Sequence, residues 1–219
     1  MRADDALRRL VAERLRSFEL HVAADHGHHA AAVAVAITEE GHGADLDGLP
    51  PSRVWSDRAA LMLTRRAEHL RHHAGQWALP GGRIDAGETA EQAALRELAE
   101  EVDLVLDASA VLGCLDDYVT RSGFVITPVV VWAGAARGVR PNPNEVQSIH
   151  RIPIEEFGRA DAPMLSSGPD VARPVLRMPV GTSWIAAPTA AVLLQFRELC
   201  LAGRVTRVSH FDQPEFAWR

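Results

Sequence analysis

The sequence predicts an α/β protein in which helices cover a mixed β-sheet. Three observations predict it. Segments 4–20, 89–101 and 188–202 carry helical signals. Segments 30–37, 58–64, 124–132 and 145–154 have the length and composition of strands. The two kinds mix without the regular strand–helix–strand rhythm of an all-parallel sheet, which favours a sandwich.

Each element has its own warrant. In 4–20, Leu7, Leu10, Val11, Leu15 and Phe18 recur near helical spacing with arginines between them. Residues 30–37 (AAAVAVAI) and 58–64 (RAALMLT) are apolar runs without turn residues. Between them, 38–53 holds Gly41, Gly43, Gly48, Pro50 and Pro51 and reads as a loop. The stretch 71–87 centres on Pro80-Gly81-Gly82 and also reads as a loop. Thr89 then offers an N-cap, and Gln92 three residues on completes a capping box for a helix to about Glu101. Apart from Asp103, residues 103–106 and 110–115 are apolar. In 124–132 (FVITPVVVW), Pro128 predicts an edge strand or a bulge. The prolines and asparagines of 138–144 mark a loop. Segment 158–183, rich in Gly, Pro and Ser, gives no clear pattern. The final helix, 188–202, is stopped by Gly203.

Composition bounds the function. The 219 residues suit one domain with elaborations: an N-terminal helical extension over 1–28, a main domain over 29–203 and a tail over 204–219. Hydrophobic residues make up 47% and charged residues 24%, which argues against disorder. The net charge of −6 gives no general case for nucleic-acid binding. No apolar run approaches the roughly 20 residues of a bilayer span, and the amino terminus lacks a signal-peptide stretch, so no membrane association and a cytoplasmic location are expected. The two cysteines, Cys114 and Cys200, make no disulfide framework and are expected as buried small apolar residues. Every basic side chain apart from histidine is Arg, so no Lys can act as nucleophile. His26, His28 and His29 read as a loop before the first strand rather than as a metal tract.

The strongest chemical signal is Glu97, Glu100 and Glu101. At 100° per residue these fall within an arc of roughly 100°. Leu95, Leu98 and Val102 point elsewhere and form the candidate buried stripe. Three crowded carboxylates call for a cation, and an oxygen-only set favours Mg²⁺ or Mn²⁺. The plain alternative is a solvated acidic face paired with Arg96. Gly81 and Gly82 just upstream permit backbone geometries that bring carbonyls and amides to a ligand.

Gly82, five residues, Glu88, seven residues, then Arg96-Glu97-Leu98-Ala99-Glu100-Glu101-Val102 resembles the Nudix box. One position departs from it. Asp103 stands where the family has Gly, and Asp tolerates turn conformations, so a modest structural adjustment is expected. The resemblance implies a Nudix α/β/α sandwich and hydrolysis of a nucleoside diphosphate linked to another moiety. It implies Glu97 and Glu101 as metal ligands with Glu100 supporting, a backbone contribution from Gly82, Arg96 orienting the carboxylates, and Glu88 in a structural role. Candidates for the general base are Glu100 and Glu145, the latter on the distal Pro-Asn-Pro-Asn loop.

Residues 61–82 (LMLTRRAEHLRHHAGQWALPGG) resemble the extended signature of the coenzyme A pyrophosphatase branch, through Leu63, Thr64, Arg65, Leu70, Arg71, His73, Gly75, Gln76 and Pro80 to Gly82. Segments 116–130, 142–146 and 187–196 resemble it too. The implied substrate is coenzyme A or its acyl or oxidised forms. Guanidinium forks match phosphate oxygens, so Arg65 and Arg71, with His73, Gln76 and Gly81, are the candidate substrate-binding residues. Trp77 and Leu79 read as core. Asp116, Asp117, Tyr118 and Thr120 fall in a shared segment and could shape the substrate site. Rival readings are hydrolysis of ADP-ribose, NADH or an oxidised nucleoside triphosphate, and a non-catalytic nucleotide sensor. The complete set of box carboxylates argues against the sensor. A homodimer is common among such proteins.

Overall fold

The computed structural model describes residues 1–24, 27–70, 73–167 and 173–214. The predicted Arg71, and His72 and His26, lie outside the described residues. Helix α1 (Asp5–Arg16) is followed by β1 (His29–Gly41), β2 (Ser56–Arg66), β3 (Trp77–Ala78), β4 (Gly81–Arg83) and α2 (Ala90–Val102). Then come β5 (Val111–Cys114), β6 (Tyr118–Val119), β7 (Phe124–Gly134), β8 (Val146–Pro153), β9 (Met164–Ser166), β10 (Val175–Val180), β11 (Ser183–Ala186) and α3 (Thr189–Phe196).

The main sheet is mixed. β1 pairs with β7 in parallel, and the other pairings are antiparallel. β1 and β2 pair only at one end, from Ile37↔Leu61 to Gly41↔Ser56. Beyond that they diverge, and 77–83 fills the fork. Trp77 and Ala78 pair with β2, while Gly81, Gly82 and Arg83 pair with Val33, Ala32 and Ala31 of β1. The segment expected as loop thus carries two short strands, because the fork leaves unpaired backbone on both sides. The predicted loop 38–53 likewise starts later, since β1 runs on to Gly41.

The pleat sends alternate residues of the central strands to opposite faces. Ala32, Ala34, Ala36, Met62, Val129 and Val131 pack with Ala93, Ala94, Leu98 and Val102 of α2. Val35, Ile37, Leu61, Leu63 and Val130 pack on the other face with α1 and α3. The architecture is therefore an α/β/α sandwich on a mixed sheet, as predicted. Alanines on both β1 and α2 let that helix lie close to the sheet.

Pro128 does not mark an edge. β7 lies between β1 and the pair β5 and β6. The break falls in its neighbour instead: β5 pairs up to Cys114↔Val129, β6 resumes at Tyr118↔Ile126, and Leu115 N–H donates to Pro128 O at 2.9 Å. The missing proline N–H therefore meets the gap between two strands. In the unpatterned region, β9, β10 and β11 form a second antiparallel sheet. The last helix is regular only to Phe196, and Arg197–Leu201 continue as a π-helical turn. Cys200 is buried as expected, but Cys114 is half-buried, with its thiol on Glu91.

Asp116 is buried and fully engaged. It accepts from His21 N–H at 2.8 Å, Gln195 Nε2 at 2.7 Å and Arg207 Nη1 at 2.7 Å. Asp117 accepts from Ala23 N–H and Thr127 Oγ1, and Tyr118 donates to Phe211 O. These residues tie the chain ends to the sheet. Val208 and Phe211 join the same core as α1 and α3. Among the described residues, no helix is long and apolar enough to cross a membrane.

The α2 terminus shows the expected adjustment at Asp103. It adopts φ 56°, ψ 36°, and its N–H and that of Leu104 both turn back to Leu98 O. This left-handed geometry suits Gly better than Asp. Asp103→Gly is expected to stabilise the fold by about 1 kcal/mol, seen as a rise of about 2–4 °C in a thermal melt.

Candidate active site

The box helix is set by local signals. Thr89 Oγ1 accepts from Gln92 N–H at 3.3 Å, and Gln92 Oε1 accepts from Thr89 N–H at 2.9 Å. From that start α2 carries Glu97 and Glu101, one turn apart, in against the fork. They are only 7% and 3% exposed, so the solvated acidic face is not what forms. Glu145 reaches them from the distal loop. That loop is pinned to the end of α2, where Arg140 N–H donates to Val102 O at 3.0 Å and Asn142 N–H to Glu101 O at 2.9 Å. Carboxylate oxygens of Glu97, Glu101 and Glu145 lie within 4.8 Å of one another.

Glu100 is turned outwards. Its side chain is 54% exposed and accepts from Arg96 Nη1 at 3.0 Å. Arg96 is the hub of the box. It also donates through Nη1 to Glu97 at 2.8 Å, through Nε and Nη2 to both oxygens of Glu88 at 3.0 and 3.1 Å, and through Nη2 to Arg83 O at 3.0 Å. Glu88 also accepts from Asp85 N–H. Glu88 thus anchors the arginine that orients Glu97.

The two glycines act through space rather than through unusual dihedrals, as neither has positive φ. A Cβ on Gly81 would lie 2.4 Å from Ala32 O, and one on Gly82 would lie 2.2 Å from Glu97 Oε1. Gly81 N–H donates to Glu101 Oε2 at 3.2 Å.

Electrostatics work against the bare cluster. Burial raises the Glu97 carboxyl above its usual range. Burial first, and then the Glu97 charge, push Glu101 up to about 8. A cradle shaped by an absent Cβ, lined by buried oxygen donors that resist ionisation alone, fits a hard divalent cation.

Gly81 and Gly82 also line a cleft of about 310 Å³, with Arg66, His73, Gln76 and Arg83 on its walls. Thr120, Thr189 and Gln213 close other sides. Arg65 does not line this cleft. Its Nη1 donates to Gly75 O at 2.9 Å, and its guanidinium lies 3.9 Å over the Trp77 ring. The reason is alternation: neighbours on a strand face opposite ways, so Arg66 takes the cleft side. That signal was present in the Arg65-Arg66 pair. Arg83 and Gln213 had no signal in the sequence. Trp77 and Leu79 are buried as expected, but Trp77 also borders the cleft.

A NUDIX domain family model matches residues 53–173, the stretch that carries Glu97, Glu101 and Glu145. The chain belongs to the Nudix family. Nudix hydrolase 3 of Caenorhabditis elegans is 38% identical over 104 residues, covering 46% of this chain and 43% of that protein. An uncharacterized Nudix hydrolase, NudL, of Pectobacterium atrosepticum is 42% identical over 97 residues, covering 44% of this chain and 50% of that one. The matches thus span about half the length of these curated Nudix relatives. Among solved structures, the Nudix hydrolase RenU of M. smegmatis shares 21% identity at a TM-score of 0.49, covering 82% of this chain and 90% of that one. The NUDIX domain of Shewanella oneidensis NrtR, solved with ADP ribose, shares 20% at 0.46, covering 85% and 96%. Nudix hydrolases generally use divalent ions such as Mg²⁺ or Mn²⁺, which agrees with the oxygen donors here.

Proposed function

We propose that this Nudix protein is a metal-dependent pyrophosphohydrolase that splits the diphosphate of coenzyme A, or of its acyl or oxidised forms, into 4′-phosphopantetheine and adenosine 3′,5′-bisphosphate. The observation that carries the hydrolytic part is the convergence of Glu97, Glu101 and Glu145 beside the Gly81–Gly82 cleft. The substrate rests on the resemblance of 61–82 to the coenzyme A signature. Its support in the fold is that His73, Gln76, Gly81 and Gly82 of that stretch line one cleft.

Glu97 and Glu101 would hold Mg²⁺ or Mn²⁺, with Glu145 at the open side. When bound, such an ion offsets charge on the diphosphate oxygens and lowers the pKa of a bound water. Arg96 fixes the Glu97 carboxylate, and the Gly81 amide fixes that of Glu101. Arg66 and Arg83 supply positive charge to the cleft wall, where a diphosphate needs it. We assign proton acceptance to Glu145 rather than Glu100. Glu145 is the exposed member of the cluster, open to water, whereas Glu100 is held away on Arg96.

Glu145→Gln is expected to lower kcat roughly 10²–10⁴-fold, the usual contribution of a general base. Glu100→Gln should cost less than tenfold. Equal losses in the two variants would overturn the assignment, and a larger loss in Glu100→Gln would reverse it. Incubation with coenzyme A and Mg²⁺ or Mn²⁺, with chromatographic separation, tests the substrate. Release of the two named products supports it. Cleavage of only ADP-ribose or NADH would keep the hydrolase and remove coenzyme A, and tight binding without cleavage would favour a sensor.

A further inference from the structure

We propose that His69 is a positioning residue for Glu145, so that the loop walling the cleft also supports the proton acceptor. The proposal rests on the reading above only for what Glu145 does once in place. Glu145 is the exposed member of the carboxylate cluster, and it stands in a turn rather than on a helix or strand. Asn142 closes that turn. Its carbonyl accepts from the N–H groups of Glu145 at 3.0 Å and Val146 at 2.8 Å, and its Oδ1 accepts from Asn144 N–H at 3.2 Å. These bonds shape the turn without fixing where it stands.

Anchors on two sides fix it. On one side, Asn142 N–H donates to Glu101 O at the end of α2. On the other side is the loop between β2 and β3. There Ala67 N–H donates to Glu145 O at 2.9 Å, and His69 Nε2 donates to Asn144 O at 3.1 Å. A carbonyl only accepts, so that ring nitrogen carries the hydrogen. Two successive carbonyls held by one loop set the backbone from which the Glu145 side chain projects. The same loop serves the cleft. Arg66 N–H donates to Gln76 O at 3.0 Å and Gly75 N–H to Arg66 O at 3.1 Å, which closes the loop and brings His73 and Gln76 to the cleft wall. His69 itself is exposed and does not line the cleft. Its effect on turnover therefore passes through the turn that it holds.

The test is a double-mutant cycle between His69 and Glu145, run on whichever of coenzyme A, ADP-ribose or NADH the wild type cleaves. His69→Ala should lower kcat roughly tenfold while KM stays within about twofold, because it misplaces a reacting group and not the substrate. His69→Gln, whose amide can donate to the same carbonyl, should recover most of the loss. In the Glu145→Gln background, His69→Ala should cost less than about twofold. Wild-type kcat in His69→Ala, or a loss undiminished in the Glu145→Gln background, overturns the proposal and leaves the role of Glu145 standing. Hydrogen exchange at the Glu145 and Val146 amides gives a readout without turnover. It should quicken severalfold in His69→Ala and return in His69→Gln, and unchanged exchange overturns the proposal. Wild-type kcat in Glu145→Gln alone would instead be the failure of the proton-acceptor reading, and the exchange rates then decide whether His69 holds the turn.

Discussion

Glu101→Gln is expected to reduce turnover roughly a thousand-fold or more, the scale of several kcal/mol of charge stabilisation by a bound ion. Its folding should be untouched or improved. The amide keeps an oxygen for the Gly81 N–H, and it removes a charge that burial and Glu97 both oppose. The same reasoning sets a pH signature. Because the folded Glu101 carboxyl sits near 8 against an ordinary value of 4.5, its contribution to stability is full below the ordinary carboxylate range. It is lost as pH rises through about 8. Metal-free wild type should therefore melt lower at pH 8.5 than at pH 5.5, and Mg²⁺ or Mn²⁺ should raise the midpoint most at the higher pH. Glu101→Gln should flatten both trends. Full activity in that variant would remove Glu101 from the metal site.

Adding one methyl group at Gly81 or at Gly82 should give opposite phenotypes. At Gly81 the new Cβ meets Ala32 O and Val33 Cα, at 2.4 and 2.7 Å, both backbone atoms within the fork. Strand pairing has to shift, at a cost of roughly 3 kcal/mol, or about 6–12 °C in a thermal melt. At Gly82 the new Cβ meets the carboxylate of Glu97, a side-chain end that can rotate. Gly82→Ala should stay folded within about 1 kcal/mol while the displaced Glu97 lowers kcat/KM at least about a hundredfold. Calorimetry and kinetics on the two variants separate these outcomes. Loss of stability at both positions would mean that Glu97 Oε1 cannot give up its Arg96 hydrogen bond without loosening the fold.

Local signals were legible in the sequence. The capping box, the α2 span and the central strands followed from side chains acting on their own neighbourhoods. The box spacing named the carboxylates but not their partition. Glu97, Glu100 and Glu101 share an arc on the helix, and only the position of the fork separates the buried pair from Glu100. Glu145 was legible as a candidate, whereas the reason it arrives, loop amides meeting the last carbonyls of α2, depends on packing between distant segments. The second sheet was illegible for a related reason. Met164–Ser166 is exposed throughout, so no hydrophobic alternation announces β9, and its pairing with β10 is set across the intervening chain. Arg65 and Arg66 could have been assigned to opposite sides by strand alternation alone.

The walls of the cleft beside the carboxylates come from three parts of the chain. The carboxylates, the glycine pair and the Arg66 side all lie within residues 53–173, whereas Ala31, Ala32 and Val33 come from before that stretch and Pro188, Thr189 and Gln213 from beyond it. Substitution in the distal part can therefore reshape one side of the cleft without touching the residues that hold Glu97, Glu101 and Glu145 in place.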